Sequence, residues 1–383
     1  MLSEQERKRD QNRYQILKTL HFRGPLQRFE LANLCDIRKS SITSIVNELV
    51  DLDLVRPQDY QRKRSPLILD DTRRYAAAVS LSPSLVRVAK VSLTGTFQRI
   101  NEKTVPEGTG LRKLLNIAVE MLKKEFRGKI KKAIGIGISC PGLIDSSKGV
   151  CLQAANIPDS QNMPIRNFFK KHFALPLHVE NDVRCSLWAS VWFEQFLKDF
   201  QNVFYVEITH GVGSALLING TIIEGAHFTA GEFGHIKAGD NGQNCLCGKK
   251  DCLETYCNIP AISKAIRQIS PAYRDVYSAG DIARCANGNK RVTNVLDKAV
   301  GRMVKILAPL IASLDPQALV LGNQEPLFYN TIIPFLHKHM LSEHKAMAQF
   351  GPQIFIAKSG KDASLKGIAG LVIEDYFKKI NDK

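Results

Sequence analysis

One short stretch constrains this chain more than any other. Glu232-Phe233-Gly234-His235 is followed, after a nine-residue gap, by Cys245-Leu246-Cys247-Gly248 and then by Cys252-Leu253-Glu254. One His and three Cys so close together fit a tetrahedral Zn²⁺ with ligands at about 2.0–2.3 Å, and the glycines permit the tight turns between them. The competing reading is a chance grouping of buried thiols. Nine cysteines is an odd number, and Met1–Arg13 is charged with no apolar segment of the kind an export signal needs. Reduced thiols or a metal therefore fit better than a disulfide framework. No run of eighteen apolar residues occurs, so no membrane span is expected and a cytoplasmic location is.

At 383 residues the chain exceeds what one core normally organises, which predicts a small domain beside a larger, bilobal one. Hydrophobic residues at 44% against 23% charged exclude extensive disorder. The 53 Lys and Arg against 37 Asp and Glu give a net charge of +16, which keeps a polyanion among the candidate partners. Residues 1–74 hold only 15 basic against 11 acidic groups, so local basic clusters must carry that argument.

The N-terminal part reads as three helices. Asn12 to Phe22 spaces Ile16, Leu17 and Leu20 helically before Gly24-Pro25 closes the segment; Gln27 to Leu34 aligns Leu31 and Leu34; Arg38 to Leu52 aligns Ile42, Ile45, Val46 and Leu49. Burying the last stripe turns Lys39, Ser40, Ser41, Ser44 and Asn47 outward, with Arg38 just before them. That is the end of a recognition helix that enters a major groove, although a Ser-rich helix cap reads the same way. Leu54-Val55-Arg56 and Leu67-Ile68-Leu69 then read as strands around the basic tip Gln61-Arg62-Lys63-Arg64. A hairpin directly after a recognition helix is a wing, and Arg62, Lys63 and Arg64 suit phosphates or a narrow minor groove, or simply a solvated loop.

From Tyr75 onward strands alternate with helices: Ala76–Val79, Leu85–Leu93, a helix over Leu111–Phe126, then Ala133–Ser139. This is an α/β pattern. Cys140-Pro141-Gly142 makes a turn at a strand's carboxyl end, where ligands commonly bind, or a purely structural turn. Leu177–Asp182 reads as a strand leading into a helix near Val183. Asp182 there either caps that helix or accepts a proton from a sugar hydroxyl beside Asn181.

Taken together, Glu-x-Gly-His, the nine-residue gap, Cys-x-Cys-Gly-x-x-x-Cys-x-Glu, the Asn-Asp pair and the Pro-Gly turn resemble the ROK family of sugar kinases and winged-helix sugar repressors. The likeness spans essentially the whole chain, with the helix-turn-helix where the family's regulators carry theirs. It implies that Gly142, Asn181, Asp182, Glu232, His235 and Glu254 contact a sugar, and that His235, Cys245, Cys247 and Cys252 hold structural zinc. His235 would serve both. Asp182 occupies the position of the kinase general base. Asp251 departs from the family's usual Gly, and the wing lacks the family's Gly-Gly-Arg tip.

Three further departures fall on one ligand. Where ROK kinases carry Asp-x-Gly-Gly-Thr, this chain has Ser80 and Ser82-Pro83-Ser84; Gly-Thr-Gly-x-Gly reads Thr209-His210-Gly211-Val212-Gly213; and Gly-Gly after a C-terminal strand reads Gly322-Asn323. Proline removes an amide donor that a phosphate needs. No bound ATP and no catalytic residue are therefore expected.

The resulting expectation is an N-terminal winged helix-turn-helix over 1–72 plus an α/β two-lobed sugar-kinase-like (actin-like ATPase/ribonuclease H-like) body. Its smaller lobe covers 73–195, completed by a C-terminal helix 366–383, and the larger covers 196–365 with the zinc site. Such a chain would regulate transcription, as a repressor of carbohydrate uptake or catabolism. Its partners would be a pseudo-palindromic duplex operator, a sugar or sugar-phosphate effector, further copies in a homodimer or homotetramer, and conceivably another protein, but no membrane. The alternative is a ROK-type sugar kinase with an appended DNA-binding domain.

Overall fold

The computed structural model describes residues 4–62, 64–126, 132–194, 197–322, 326–343 and 351–380. The chain divides into two compact units, Met1–Lys198 with Leu365–Lys383, and Asp199–Ser364. The N-terminal helices thus belong to the same unit as the first half of the body.

That unit opens with α1 (Glu4–Arg23), α2 (Arg28–Leu34) and α3 (Lys39–Asp51), then an antiparallel hairpin of β1 (Val55–Pro57) and β2 (Leu67–Leu69). Ile16, Leu17 and Leu20 of α1 and Ile42, Ile45, Val46 and Leu49 of α3 are buried as their spacing requires. Gly24, in the left-handed region at φ 53°, ends α1, and Leu26 then exchanges both backbone hydrogen bonds with Leu67 at 3.2 and 2.8 Å. This isolated bridge ties the α1–α2 connection to the hairpin.

Helix α1 starts eight residues before the Asn12 expected from apolar spacing. Its early turns are polar and are held by charge instead: Arg9 pairs with Glu48 at 2.8 Å, while Arg13, 5% exposed, binds Asp10 at 2.6 Å and also Glu48 of α3. Periodicity cannot register such a segment. Strand β1 begins one residue later than Leu54, whose amide closes the end of α3 on the Leu49 carbonyl at 3.0 Å.

The body part of this unit contains β3 (Tyr75–Leu81), β4 (Leu85–Ser92), β5 (Phe97–Thr104), α4 (Leu111–Phe126), β6 (Ala133–Cys140), β7 (Leu143–Asp145), β8 (Val150–Gln153), α5 (Ile165–Lys170), β9 (Leu177–Asn181) and α6 (Asp182–Phe193). Its main sheet has the order β5-β4-β3-β6-β9, antiparallel through β3 and parallel beyond it. Strand β6 alternates Gly135-Ile136-Gly137-Ile138. The isoleucines join the core with α4, while a Cβ on Gly137 would fall 2.6 Å from Ile368 of the C-terminal helix Ala363–Lys378. Glycine therefore lets that helix lie directly on the strand. The helix starts three residues before the expected 366, because the turn Gly360–Asp362 feeds straight into it, and ends at Lys378; residues 381–383 of the expected span lie outside the described residues.

The second unit holds β10 (Val203–Ile208), β11 (Val212–Ile218), β12 (Thr221–Ile222), α7 (Glu254–Cys257), α8 (Ile259–Arg267), α9 (Ala279–Ala286), α10 (Lys290–Leu314), β13 (Ala318–Gly322), α11 (Pro326–Glu343) and β14 (Gln353–Ile356). Its sheet runs β12-β11-β10-β13-β14, again antiparallel and then parallel. The two units repeat one topology. In each, a meander of three strands is followed by two parallel strands reached through helices.

Within the first unit the end of α1 packs on the end of α6. His21 stacks on Trp192 with centroids 4.7 Å apart, and its Nε2–H donates to the Trp192 carbonyl at 2.6 Å. Burial pushes the imidazole pKa down to about 4, against the hydrogen bonds that would raise it. The unfolded chain then takes up this proton first as pH falls, so stability is retained above about 6.5 and declines towards about 4, by about 3 kcal/mol in all. Urea denaturation across that window should give a falling unfolding free energy, with a shallower slope for His21→Phe.

Candidate functional site

Parallel pairing of β6 with β9 sets Cys140 opposite Asn181, so the Pro141-Gly142 turn and the Asn181-Asp182 step leave adjacent strands at their carboxyl ends. Gly142 has φ 95°, and a Cβ there would meet the Gln153 carbonyl oxygen at 2.3 Å. Only glycine makes this turn. Asn181 ties the two segments: Nδ2 donates to the Gly142 carbonyl at 3.0 Å, while Oδ1 accepts from the amides of Val183 and Arg184 at 2.9 and 3.0 Å.

The cap of α6 is therefore Asn181, and the helix starts at Asp182 rather than near Val183. Asp182 is relieved of the capping role that its position allowed. Its carboxylate lies in the first turn, at the positive end of the helix, and Oδ1 accepts the Val183 amide at 3.0 Å. Gly142, Asn181 and Asp182 are thus brought together.

Two residues of this turn were not singled out from the sequence. Glu180, 6% exposed, accepts from the Asn181 amide at 2.5 Å and from Arg184 at 2.7 Å; Arg184, 2% exposed, also donates to the Ile144 carbonyl at 3.0 Å. A Glu and an Arg four apart across a strand-to-helix junction, in otherwise apolar surroundings, was the signal available.

In the second unit His235 ends a 3-10 turn, Phe233–His235, laid so close to β11 that a Cβ on Gly234 would come within contact of the Val212 carbonyl oxygen. Bridges of Lys237 with Cys252 and of Asn244 with Lys250 fold the cysteine loop back, and Gly248 takes the left-handed conformation at φ 87°. The ligand atoms of His235, Cys245, Cys247 and Cys252 all lie within 4.8 Å of one another. Cys245 Sγ is 3.5 Å from His235 Nδ1, and Cys247 Sγ is 3.6 Å from Cys252 Sγ. Tetrahedral zinc with bonds of about 2.0–2.3 Å has edges of roughly 3.5–3.8 Å, so the donor set and its spacing fit such an ion. Nδ1 faces the thiols and Nε2 faces Glu232, whose Oε2 is 3.6 Å away.

Asp251 explains its own departure from glycine. Its φ of 61° is left-handed, where glycine is the easy choice, but its carboxylate accepts from the Tyr256 hydroxyl and from the amides of Gly242 and Gln243 at 3.1 Å each. These bonds, the Tyr256 hydroxyl first, hold the carboxyl below the usual range. Glu254 borders the same knuckle: Oε2 accepts the Val212 amide at 3.1 Å and Oε1 lies 3.9 Å from Cys245 Sγ. Glu232, His235 and Glu254 thus share this part of the second unit.

The segments read as altered phosphate loops are the first hairpin turns of the two equivalent sheets. In the first, the Ser82 amide and hydroxyl both bond the Leu85 carbonyl, at 2.9 and 3.1 Å, and Pro83 has no amide to offer. In the second, the Thr209 amide bonds the Gly211 carbonyl at 2.7 Å, and the Val212 amide is already held by Glu254. Gly322 ends β13; Asn323, like Lys63, lies outside the described residues.

On the N-terminal helices Arg38, Lys39, Ser40, Ser44 and Asn47 are exposed and Ser41 is half-buried. Ser44 receives a 3.4 Å bond from Arg9 and Asn47 a 3.3 Å bond from Arg28, so cations from α1 and α2 flank α3. Neither arginine was expected there; their contribution depends on tertiary packing. Arg62 and Arg64 are exposed at the hairpin tip, Arg62 80% so, and Tyr60 stands beside them 75% exposed.

A model of the ROK family matches residues 89–375. The chain belongs to the ROK family. The xylose repressor of Caldicellulosiruptor bescii is 24% identical and aligned over 96% of both chains, and the transcriptional dual regulator NagC of Escherichia coli is 25% identical over 79% of this chain and 77% of its own. Among solved structures, a ROK transcriptional regulator described as a homologue of the E. coli MLC protein superposes with a TM-score of 0.82 at 22% identity, covering 97% of each chain. A Streptomyces griseus ROK glucokinase, solved with glucose and AMPPNP, has a TM-score of 0.66 at 21% identity and covers 78% of this chain and 98% of its own. The ROK body is thus the sugar-kinase-like two-lobed fold. The family resemblance read from the motifs is borne out.

Because Asn181 serves both α6 and the Pro-Gly turn, Asn181→Ala should cost about 1–2 kcal/mol in chemical denaturation. Asn181→Asp, which keeps the capping oxygen, should recover most of the loss.

Proposed function

We propose that this ROK chain is a sugar-responsive transcriptional repressor. The observation that carries the reading is the match to xylose repressors over 96% of both chains, N-terminal helices and hairpin included, where the glucokinase covers only 78% of this chain. Three helices followed by a hairpin have the form of a winged helix-turn-helix. In that reading α3 enters the major groove with Arg38, Lys39, Ser40, Ser41, Ser44 and Asn47, and Arg62, Lys63 and Arg64 of the wing contact phosphates. Arg28 adds a cation beside α3.

Gly142, Asn181 and Asp182, and separately Glu232, His235 and Glu254, are proposed as sugar contacts. Carboxylates accept hydroxyl protons, and Asn181 keeps one amide hydrogen beyond its bond to Gly142. His235, Cys245, Cys247 and Cys252 would hold zinc, which when bound fixes the knuckle and the tautomer of His235. Nε2 of that imidazole then donates towards a hydroxyl or Glu232.

The spent amides of Ser82 and Val212 and the proline at position 83 support a body without ATP-dependent catalysis. Asp182, retained at the kinase-base position, favours the second reading, an active sugar kinase. We place the protein in the cytoplasm as a symmetric oligomer on a pseudo-palindromic operator, with sugar binding preferentially to one of two states. A shift of about 100-fold in operator affinity requires about 2.7 kcal/mol of differential sugar binding.

Selection of fragments from the host's genomic DNA, with and without D-xylose, D-glucose, N-acetylglucosamine and their phosphates, should recover a palindromic site whose occupancy falls with one sugar. Arg62→Ala with Arg64→Ala should weaken binding and reduce its salt dependence by about one to two units of slope. No recovery in any arm, with ATP turnover on the same panel, would favour the kinase. Metal analysis should find one zinc per chain, and Cys247→Ser should lose it and lower the melting temperature by roughly 5 °C or more.

A further inference from the structure

We propose that α6 is the lever that carries the state of the sugar-binding turn to the DNA-binding helices, and that the His21–Trp192 stack is its joint. This rests on the regulator reading above and names the coupling path that reading needs.

The lever starts at the proposed sugar residues. Asp182 is its first residue, Asn181 its cap, and Arg184 clamps the same turn to Glu180 and to the Ile144 carbonyl. Twelve residues long, it ends at Phe193, a length of about 18 Å at 1.5 Å per residue. Between those ends it is stiff: Cys185, Ser186, Leu187, Ala189 and Ser190 are buried, and the C-terminal helix lies so close that a Cβ on Gly367 would overlap the Cys185 carbonyl oxygen. Such a packed pair shifts as a body rather than deforming. A tilt of about 3° at Asp182 displaces the far end by about 1 Å.

At that far end Trp192 and Phe193 grip the last turn of α1. His21 stacks on Trp192 at 4.7 Å and 24° and bonds its carbonyl at 2.6 Å; Phe22 meets Trp192 edge-on at 5.2 Å, and His21 meets Phe193 at 5.5 Å. A second attachment lies two turns back on α1, where the Tyr14 hydroxyl donates to Glu374 of the C-terminal helix at 3.1 Å. From α1 the path continues through Arg9 and Arg13 to Glu48 of α3, the proposed recognition helix. Every step of it lies within one unit.

The joint also has a feature that packing alone does not explain. The indole N–H groups of Trp188 and Trp192 are buried with no acceptor among the described residues, although the two rings stack at 5.6 Å.

Trp188 and Trp192 are the chain's only two tryptophans, so intrinsic tryptophan emission reads this joint. The full chain is titrated with D-xylose, D-glucose, N-acetylglucosamine and their phosphates, and operator affinity is measured on the fragment recovered by genomic selection. The sugar that changes operator affinity should also change the emission. His21→Ala and Trp192→Leu should keep sugar affinity and sugar-free operator affinity within about threefold, while the sugar effect falls from about 100-fold to under about 10-fold. Trp192→Phe should keep most of the effect, and the double variant should lose no more than either single one. An effective sugar that leaves the emission of the unaltered chain unchanged overturns the lever, a result that needs no folded variant. So does a folded His21→Ala chain with the full sugar effect. An unaltered chain with no operator binding in any arm overturns the regulator reading itself, and the lever with it.

Discussion

The arrangement depends first on one register, the parallel pairing that puts Cys140 of β6 opposite Asn181 of β9. It brings a turn that only glycine can make beside a strand-to-helix step, and the Asn181 side chain then bonds both. Slip that register and the amide loses either the Gly142 carbonyl or the first turn of α6. Glu180 and Arg184 pair beneath it, buried, where a single unpaired charge would be costly. A turn held this way is positioned by backbone and cap, with Asp182 as the first residue of the helix that follows.

What was legible in the sequence follows from where the signal was apolar or chemically distinctive. The buried stripe of α3, the bounds of α4 and the gathering of His235 with three cysteines were readable because burial at helical spacing and a His-Cys₃ set leave few alternatives. The start of α1 was not, since Arg9 and Arg13 anchor it through Glu48, a partner on another helix. Nor was Asn181 legible as the cap: Asp182 was the candidate, and an Asn one residue earlier accepts from the amides two and three residues on just as well. Asp251 read as a break in the motif, yet the left-handed backbone persists and the carboxylate compensates through three bonds that depend on the fold.

The repeated sheet topology gives the altered phosphate loops a common physical meaning. Both first hairpins sit at equivalent positions, and in both a turn amide is bonded internally, Ser82 to the Leu85 carbonyl and Val212 to Glu254. The Gly142 turn is closed in its own way, by Asn181, and Glu254 joins the second hairpin to the His-Cys cluster.

Regulation and catalysis place different demands on a body of this fold. A kinase gains from a mobile body that closes on nucleotide; a repressor gains from stiff elements that turn a small change at one end into a displacement at the other. The glycines at 135, 137 and 367 each let a helix or strand approach more closely than a side chain would allow. Close approach of this kind trades local freedom for rigid connection, and it is concentrated where α6 and the C-terminal helix run from the Asn181 turn towards α1.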